Sequence, residues 1–162
     1  MDVPSRFFFH VPEHALLVSA WHDGRALLGV ELRGLRKASA PSPARCELER
    51  RLAADLRRYF AGEAVEFDLP LAYGHATPFQ RTAWRALRTI PYGEVRSYGW
   101  VAAAIGRRGA ARAVGGACGA NPWPIVVPCH RVVASDGSLG GYSSGLKWKR
   151  LLLRVEGAVL PG

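Results

Sequence analysis

Pro128-Cys129-His130-Arg131-Val132 sets a thiol directly beside an imidazole and a guanidinium. A cysteine is a strong nucleophile only as its thiolate, and a nearby His⁺ or Arg lowers its pKa from about 8.5. The apolar run Ile125-Val126-Val127 leads in like a short buried strand. Pro128 ends that strand, because its ring fixes φ and removes a backbone donor. The motif is therefore expected to present Cys129 at a rigid strand end. A small buried hydrophobe is the commoner role of a free cysteine, and these five residues do not choose between the two.

The segment upstream carries a second constellation. Ser97 can cap a short helix from Tyr98 to Ile105, Gly106-Arg107-Arg108-Gly109 makes a tight basic turn, and Ala110 to Gly119 can form a second helix. Helix, Gly-containing turn, helix is the helix-turn-helix pattern, which many αα-hairpins share without touching DNA. Ala110, Ala111, Ala113, Gly115, Gly116 and Ala117 permit close backbone approach, either to another segment of the protein or to a nucleic-acid groove. Each glycine there costs about 1 kcal/mol of helix stability relative to alanine. Arg112 is the long side chain near the helix start. It could fill the space that a base leaves when it is taken out of the stack, or stay a solvated surface charge.

Charge separates the two halves. Residues 1–76 hold ten Lys/Arg and ten Asp/Glu, whereas residues 77–162 hold twelve Lys/Arg against Glu94, Asp136 and Glu156, so the formal +9 lies entirely in the second half. A basic half beside a neutral one favours a polyanion-binding surface on a support. No apolar run reaches the ~20 residues of a membrane helix, and Phe7-Phe8-Phe9 is too short for a signal peptide core. Cys46, Cys118 and Cys129 form an odd set that suits a reducing cytoplasm.

The supporting elements are legible in outline. Ala15–Ala20 and Ala26–Leu32 read as strands, joined by His22-Asp23-Gly24-Arg25 with its Asp-Gly hairpin signal. Lys37–Ala44 reads as a loop, Glu47–Phe60 as an amphipathic helix, Ala64–Leu69 as a further strand, and Pro70–His75 as a linker. Thr77-Pro78 opens a helix with Phe79, Ala83, Leu87 and Ile90 on one side and Arg81, Arg85 and Arg88 on the other. Leu146–Val155 reads as a last helix with Glu156 near its end.

Taken together, Phe79-Gln80-Arg81, Pro91-Tyr92-Gly93-Glu94-Val95, Ser97-Tyr98, Ala111-Arg112-Ala113-Val114-Gly115-Gly116-Ala117, Asn121-Pro122, Pro128-Cys129-His130-Arg131-Val132, Tyr142-Ser143 and Glu156-Gly157 resemble the O6-alkylguanine-DNA alkyltransferase family, also called methylated-DNA–protein-cysteine methyltransferases. The likeness runs from about Thr77 to Gly157. It implies an α+β chain: a small RNase H-like α/β support domain at 1–74, and at 75–162 a mostly helical, winged helix-turn-helix-like catalytic domain. The implied activity is cofactor-free, single-turnover transfer of an alkyl group from guanine O6 in double-stranded DNA to the sulfur of Cys129, with O4-alkylthymine left open as a second substrate. By the same resemblance His130 accepts the thiol proton through a water and Glu156 orients the imidazole. Tyr98 donates at the ring nitrogen, Ser143 donates at O6, and Lys149 assists near Tyr98. Pro124, Tyr142 and the backbone around Val132 form the pocket wall, and Asn121 links the recognition helix to the active-site strand.

Arg112 is the intercalating arginine, with Ala111, Gly115, Arg107, Arg108 and Arg131 alongside it as DNA contacts. The implied protein is cytoplasmic and monomeric, with cooperative assembly on DNA left open. Cys118 departs from the family's larger residue and puts a second thiol near the pocket. Some relatives carry an N-terminal zinc, but Cys46, His10, His14, His22 and His75 lack a zinc-like spacing, so no metal is expected. A non-catalytic lesion binder of this family would lack the cysteine, and a Cys-His-Glu thiol hydrolase would have no use for Arg112 or the basic half. Val126 stands where a haem-attachment motif needs its first cysteine.

Overall fold

The computed structural model describes residues 3–36 and 40–160, in two compact units, 1–73 and 74–162. The first unit is built on a three-stranded antiparallel sheet of β1 (Ser5–Val11), β2 (Leu16–His22) and β3 (Leu27–Gly34), with β2 in the centre. The two strands read at 15–20 and 26–32 are present as β2 and β3. Phe7-Phe8-Phe9 forms part of a third, β1, in which Phe7 and Val11 are buried.

Helix α1 (Glu47–Phe60) buries Leu48, Leu52, Leu56 and Tyr59, the apolar stripe expected of it. The segment read as a strand at 64–69 is not one. Val65, Phe67 and Leu69 are buried in alternation, and a bridge to Leu27 follows at Leu71. Side-chain burial thus holds an extended segment without a ladder. Lys37, Ala38 and Ser39, the start of the loop read at 37–44, lie outside the described residues.

The second unit is mostly helical. Thr77 caps α2 (Pro78–Leu87) through a capping box with Gln80, as its Thr-Pro start implies. Ala83, Trp84 and Leu87 are buried, and the Trp84 indole donates to the Ala117 carbonyl at 2.8 Å. Two residues, Arg96–Ser97 (β4), pair in parallel with Val132–Val133 (β5). Ser97 then caps α3 (Tyr98–Ala104), and a turn with Gly106 and Gly109 at positive φ leads to α4 (Ala111–Gly119). Helix α5 (Leu146–Val155) closes the unit.

One local expectation is overturned beside the reactive cysteine. Ile125–Val127 is a turn and not a strand, with the Val127 N–H bonded to the Trp123 carbonyl at 2.9 Å and Ile125 at φ 73. Pro122, Pro124 and Pro128 remove ladder donors on both sides, so an apolar run curls into the core instead of pairing. A β-branched residue at positive φ is strained backbone, held here by complete burial. Among the described residues no helix is long and apolar enough to cross a membrane.

Candidate active site around Cys129

Cys129 opens a one-turn 3-10 helix, Cys129–Arg131, that runs straight into β5. Its N–H bonds to the Val127 carbonyl at 2.8 Å, and the Asn121 amide Nδ2 donates both to the Val127 carbonyl at 2.9 Å and to the Cys129 sulfur at 3.2 Å. Asn121 Oδ1 accepts from the Trp123 N–H at 3.0 Å, which fixes the amide orientation. The link from α4 to the reactive residue is therefore a direct hydrogen bond to sulfur.

The cations act differently from the first expectation. Arg131 was read as a DNA contact and as a possible activator of the thiol, but it is buried and its guanidinium grips Glu156, through Nε at 2.9 Å and Nη2 at 3.0 Å. Its third nitrogen donates to the Ile90 carbonyl at 2.7 Å. His130 is fully buried, with Nε2 at 2.6 Å from Glu156 Oε1. Burial holds its pKa below the usual histidine value despite the carboxylate, so the ring is a neutral base and not the His⁺ that would lower the thiol's pKa. With Nε2–H given to Glu156, Nδ1 is the basic nitrogen.

Glu156 is the C-cap of α5, where the helix dipole opposes a negative charge. His130 and Arg131 compensate it, and Gly93 adds a backbone donor at 3.1 Å. Burial works against the carboxylate, but the His130 and Arg131 partners prevail and bring its pKa down to about 2. The turn before β4 is shaped for this. Gly93 has φ 80, and a Cβ there would sit 3.0 Å from the Glu156 carbonyl.

Burial pushes the Cys129 thiol up, while the Asn121 amide and the Lys149 ammonium pull it down. Lys149 is thus the cation that faces the sulfur. It is fully buried, and its Nζ donates to the carbonyls of Val132 at 2.7 Å, Gly141 at 3.1 Å and Leu139. The expected assistance to Tyr98 is indirect, since Lys149 ties down the loop whose Gly141 backbone hydrogen-bonds the Tyr98 phenol. Burial first, then Cys118 and Cys129, raise the Tyr98 pKa, so its hydroxyl keeps its proton. A Cβ on Gly140 would stand 2.6 Å from that hydroxyl, at φ 69, so the loop passes Tyr98 only as glycine.

A cavity of about 600 Å³ opens onto Cys129. Tyr98 and Gly99 of α3, and Ala111, Arg112, Gly115, Cys118 and Gly119 of α4, form one side of it. Ala134, Ser135, Gly140, Gly141, Tyr142 and Ser143 form the other. The cavity brings together Cys129, Tyr98, Ser143, Tyr142, Arg112, Ala111 and Gly115 as expected. Pro124, Val132, Asn121 and Lys149 are buried and are not among its lining. Gly115 faces the Tyr98 ring, where an added Cβ would lie 3.9 Å away, an ordinary contact distance. Arg107 and Arg108 are exposed in the turn before α4.

The family described as 6-O-methylguanine DNA methyltransferase, DNA binding domain, matches residues 78–158. A methylated-DNA–protein-cysteine methyltransferase of Shigella flexneri is 49% identical over 83% of this chain and 76% of its own length. The chain belongs to this methyltransferase family. A relative of the same name from Mycolicibacterium paratuberculosis is 58% identical over 62% of this chain, and the match spans 61% of that relative. The solved structure of Mycobacterium tuberculosis O6-methylguanine methyltransferase superposes with TM-score 0.78 at 40% identity, covering 96% of this chain and 93% of that one. A complex of Mycobacterium tuberculosis OGT with DNA gives TM-score 0.76 at 43% identity, covering 93% and 91%.

Three features of this methyltransferase site escaped the sequence reading. The Arg131–Glu156 pair joins residues 25 apart, and the basic character of Arg131 pointed to DNA instead. The Asn121–sulfur bond depends on the turn at Ile125, which the apolar run concealed. The glycines of the 134–143 loop carry no side-chain chemistry, although Gly140-Gly141 before Tyr142 was a visible signal of close approach. In the other unit, His22, Cys46 and Glu49 place ligand atoms within 4.8 Å of one another. His22 Nδ1 accepts from the Gly24 N–H at 3.0 Å, so Nε2 carries the hydrogen given to Glu49 at 2.9 Å. A metal at Nε2 would force a proton onto Nδ1 against that N–H. With Glu49 also accepting from the Arg45 N–H at 2.5 Å, the cluster is built as a cap for α1.

Proposed function

We propose that the protein repairs double-stranded DNA by transferring the alkyl group of O6-alkylguanine to Cys129, once per molecule. The observation that carries this is the cysteine itself. Its sulfur opens onto a cavity of about 600 Å³, with an amide donor at 3.2 Å and a neutral imidazole held by an ionised carboxylate at 2.6 Å in the next residue. In the transfer the thiol proton passes to His130 Nδ1 through a water, and the sulfur attacks the alkyl carbon. The carbon–oxygen bond breaks, and guanine leaves with its charge met by donors. Tyr98 supplies the donor at the ring nitrogen and Ser143 the donor at O6. The resulting thioether is not hydrolysed, so the chain is consumed.

Arg112 takes the place of the extruded nucleotide, with Ala111 and Gly115 letting α4 approach the groove and Arg107 and Arg108 meeting phosphates. We read residues 75–162 as a winged helix-turn-helix-like catalytic domain and 1–74 as an RNase H-like support, in a cytoplasmic monomer. The helix–turn–helix of α3 and α4 beside the β4–β5 pair supports the first reading. The concentration of +9 in residues 77–162 supports the DNA partner. Mixing with duplex DNA containing O6-methylguanine should add one methyl mass to the peptide carrying Cys129, with one equivalent consumed. Turnover beyond one equivalent, or the label on another residue, would contradict the proposal.

A further inference from the structure

We propose that the Tyr142 hydroxyl donates a hydrogen bond to the Cys129 thiolate, directly or across one water, which makes Tyr142 a positioning residue for the transfer step. The inference rests on the alkyl-transfer reading above and extends it to a group that reading uses only as pocket wall. Tyr142 lines the same cavity as Cys129, and its hydroxyl oxygen is buried with no hydrogen-bond partner among the described residues. Native structures rarely leave such a group unused; a water, a ligand or a catalytic role normally accounts for it. Burial, followed by the nearness of Cys129 and Glu156, holds the phenol well above its ordinary pKa. It therefore keeps its proton at any working pH and has a hydrogen to give.

The two anions beside it compete for that hydrogen on unequal terms. Glu156 already accepts from His130, from Arg131 through two nitrogens, and from the Gly93 N–H. The Cys129 sulfur has the Asn121 amide at 3.2 Å and its own backbone N–H, with the Lys149 ammonium acting at longer range. The carboxylate is saturated and the thiolate is not. A thiolate opposed by complete burial gains most from another donor.

The other groups facing the sulfur leave its titration legible. Cys118 of α4 is pushed up to about 12 by burial and by Cys129, and Tyr98 of α3 is raised, so both stay protonated through neutral pH. Glu156 ionises near 2, His130 is held below its usual value, Arg131 is paired to Glu156, and Lys149 of α5 is committed to carbonyls.

Tyr142→Phe keeps the ring and removes only the oxygen, so it separates the hydroxyl from the wall. The readout is the rate at which iodoacetamide modifies the Cys129 peptide, followed by mass spectrometry from pH 6 to 11 without DNA. The expected result is an upward move of the profile by about one pH unit, a tenfold loss of thiolate at pH 7. Single-turnover transfer should slow about tenfold at pH 7 and recover as pH rises, with DNA affinity unchanged. Placing 3,5-difluorotyrosine at 142, a stronger donor of nearly the same shape, should move the profile the other way. A Tyr142→Phe profile that superimposes on the parent overturns the proposal, as does slowed transfer with an unmoved profile. Because the profile is taken without DNA, it tests Tyr142 even if the parent accepts no alkyl group from DNA, an outcome that would fail the alkyl-transfer reading separately.

Discussion

Replacing Glu156 with Gln changes one charge at the most heavily bonded buried carboxylate of the second unit, and its consequences can be sized. The Glu156 carboxyl ionises at about 2 in the fold against 4.5 as the reference, a depression worth about 3 kcal/mol at 1.36 kcal/mol per unit. Because the folded value is the lower one, this stability is fully present above pH 4.5 and is lost as pH falls towards 2. Glu156→Gln also strands the Arg131 guanidinium in a buried site, and breaking a buried pair from one side costs about 3–5 kcal/mol. The two routes agree on about 3 kcal/mol or more at pH 7.

Urea unfolding followed by tryptophan fluorescence suits the measurement, since Trp84, Trp100, Trp123 and Trp148 all lie in the second half of the chain. The difference between parent and variant should be large at pH 7 and shrink steadily below pH 4.5, because other acids titrate equally in both. Transfer should fall about 10²-fold as His130 loses the anion that fixes its tautomer. A difference under 1 kcal/mol at pH 7, or one that stays constant down to pH 2, would refute the reasoning.

Arg112→Ala should slow repair in duplex DNA while leaving reaction with free O6-benzylguanine within about twofold; if the side chain offsets some 2 kcal/mol of unstacking, the duplex loss is about 30-fold. Equal losses on both substrates would remove Arg112 from base extrusion. Tyr98→Phe should slow transfer by about 10²-fold with DNA affinity intact, because one donor at the developing charge is lost. Unchanged transfer would take the Tyr98 hydroxyl out of the chemistry.

Elements whose logic is local were legible in the sequence. Thr77-Pro78 with Gln80 contains its whole helix start within four residues, and the structure has that capping box. The stripe of Leu48, Leu52 and Leu56 likewise declares α1 by period alone. Errors arose where burial and pairing part company. Phe7-Phe8-Phe9 is legible in the sequence only as too short for a signal peptide core, yet β1 pairs along its whole length with β2. Val65, Phe67 and Leu69 are buried in alternation, yet the segment forms no strand, and the bridge to Leu27 lies beyond it at Leu71. Alternation reports which side chains are buried; it does not report whether a neighbouring backbone stands in register.

The site divides along the same line. Cys129, His130 and Arg112 stand out because each carries its chemistry in its own side chain, whereas Tyr98 and Ser143 are named by the family resemblance. The roles of Arg131 and Lys149 are not legible, because a cation's function depends on the acceptor it reaches. Arg131 finds Glu156 and the Ile90 carbonyl, 25 and 41 residues away, and Lys149 finds the carbonyls of Val132, Leu139 and Gly141. Both cations that looked free to bind DNA or substrate are spent on holding the reactive turn and its facing loop. The thiol then sits in a wall that is rigid by electrostatics, with its pKa raised by burial and relieved by donors aimed at the sulfur. Burial works against the thiolate while these donors favour it, so the reactivity of Cys129 is set by the groups that reach its sulfur and not by its five-residue motif alone.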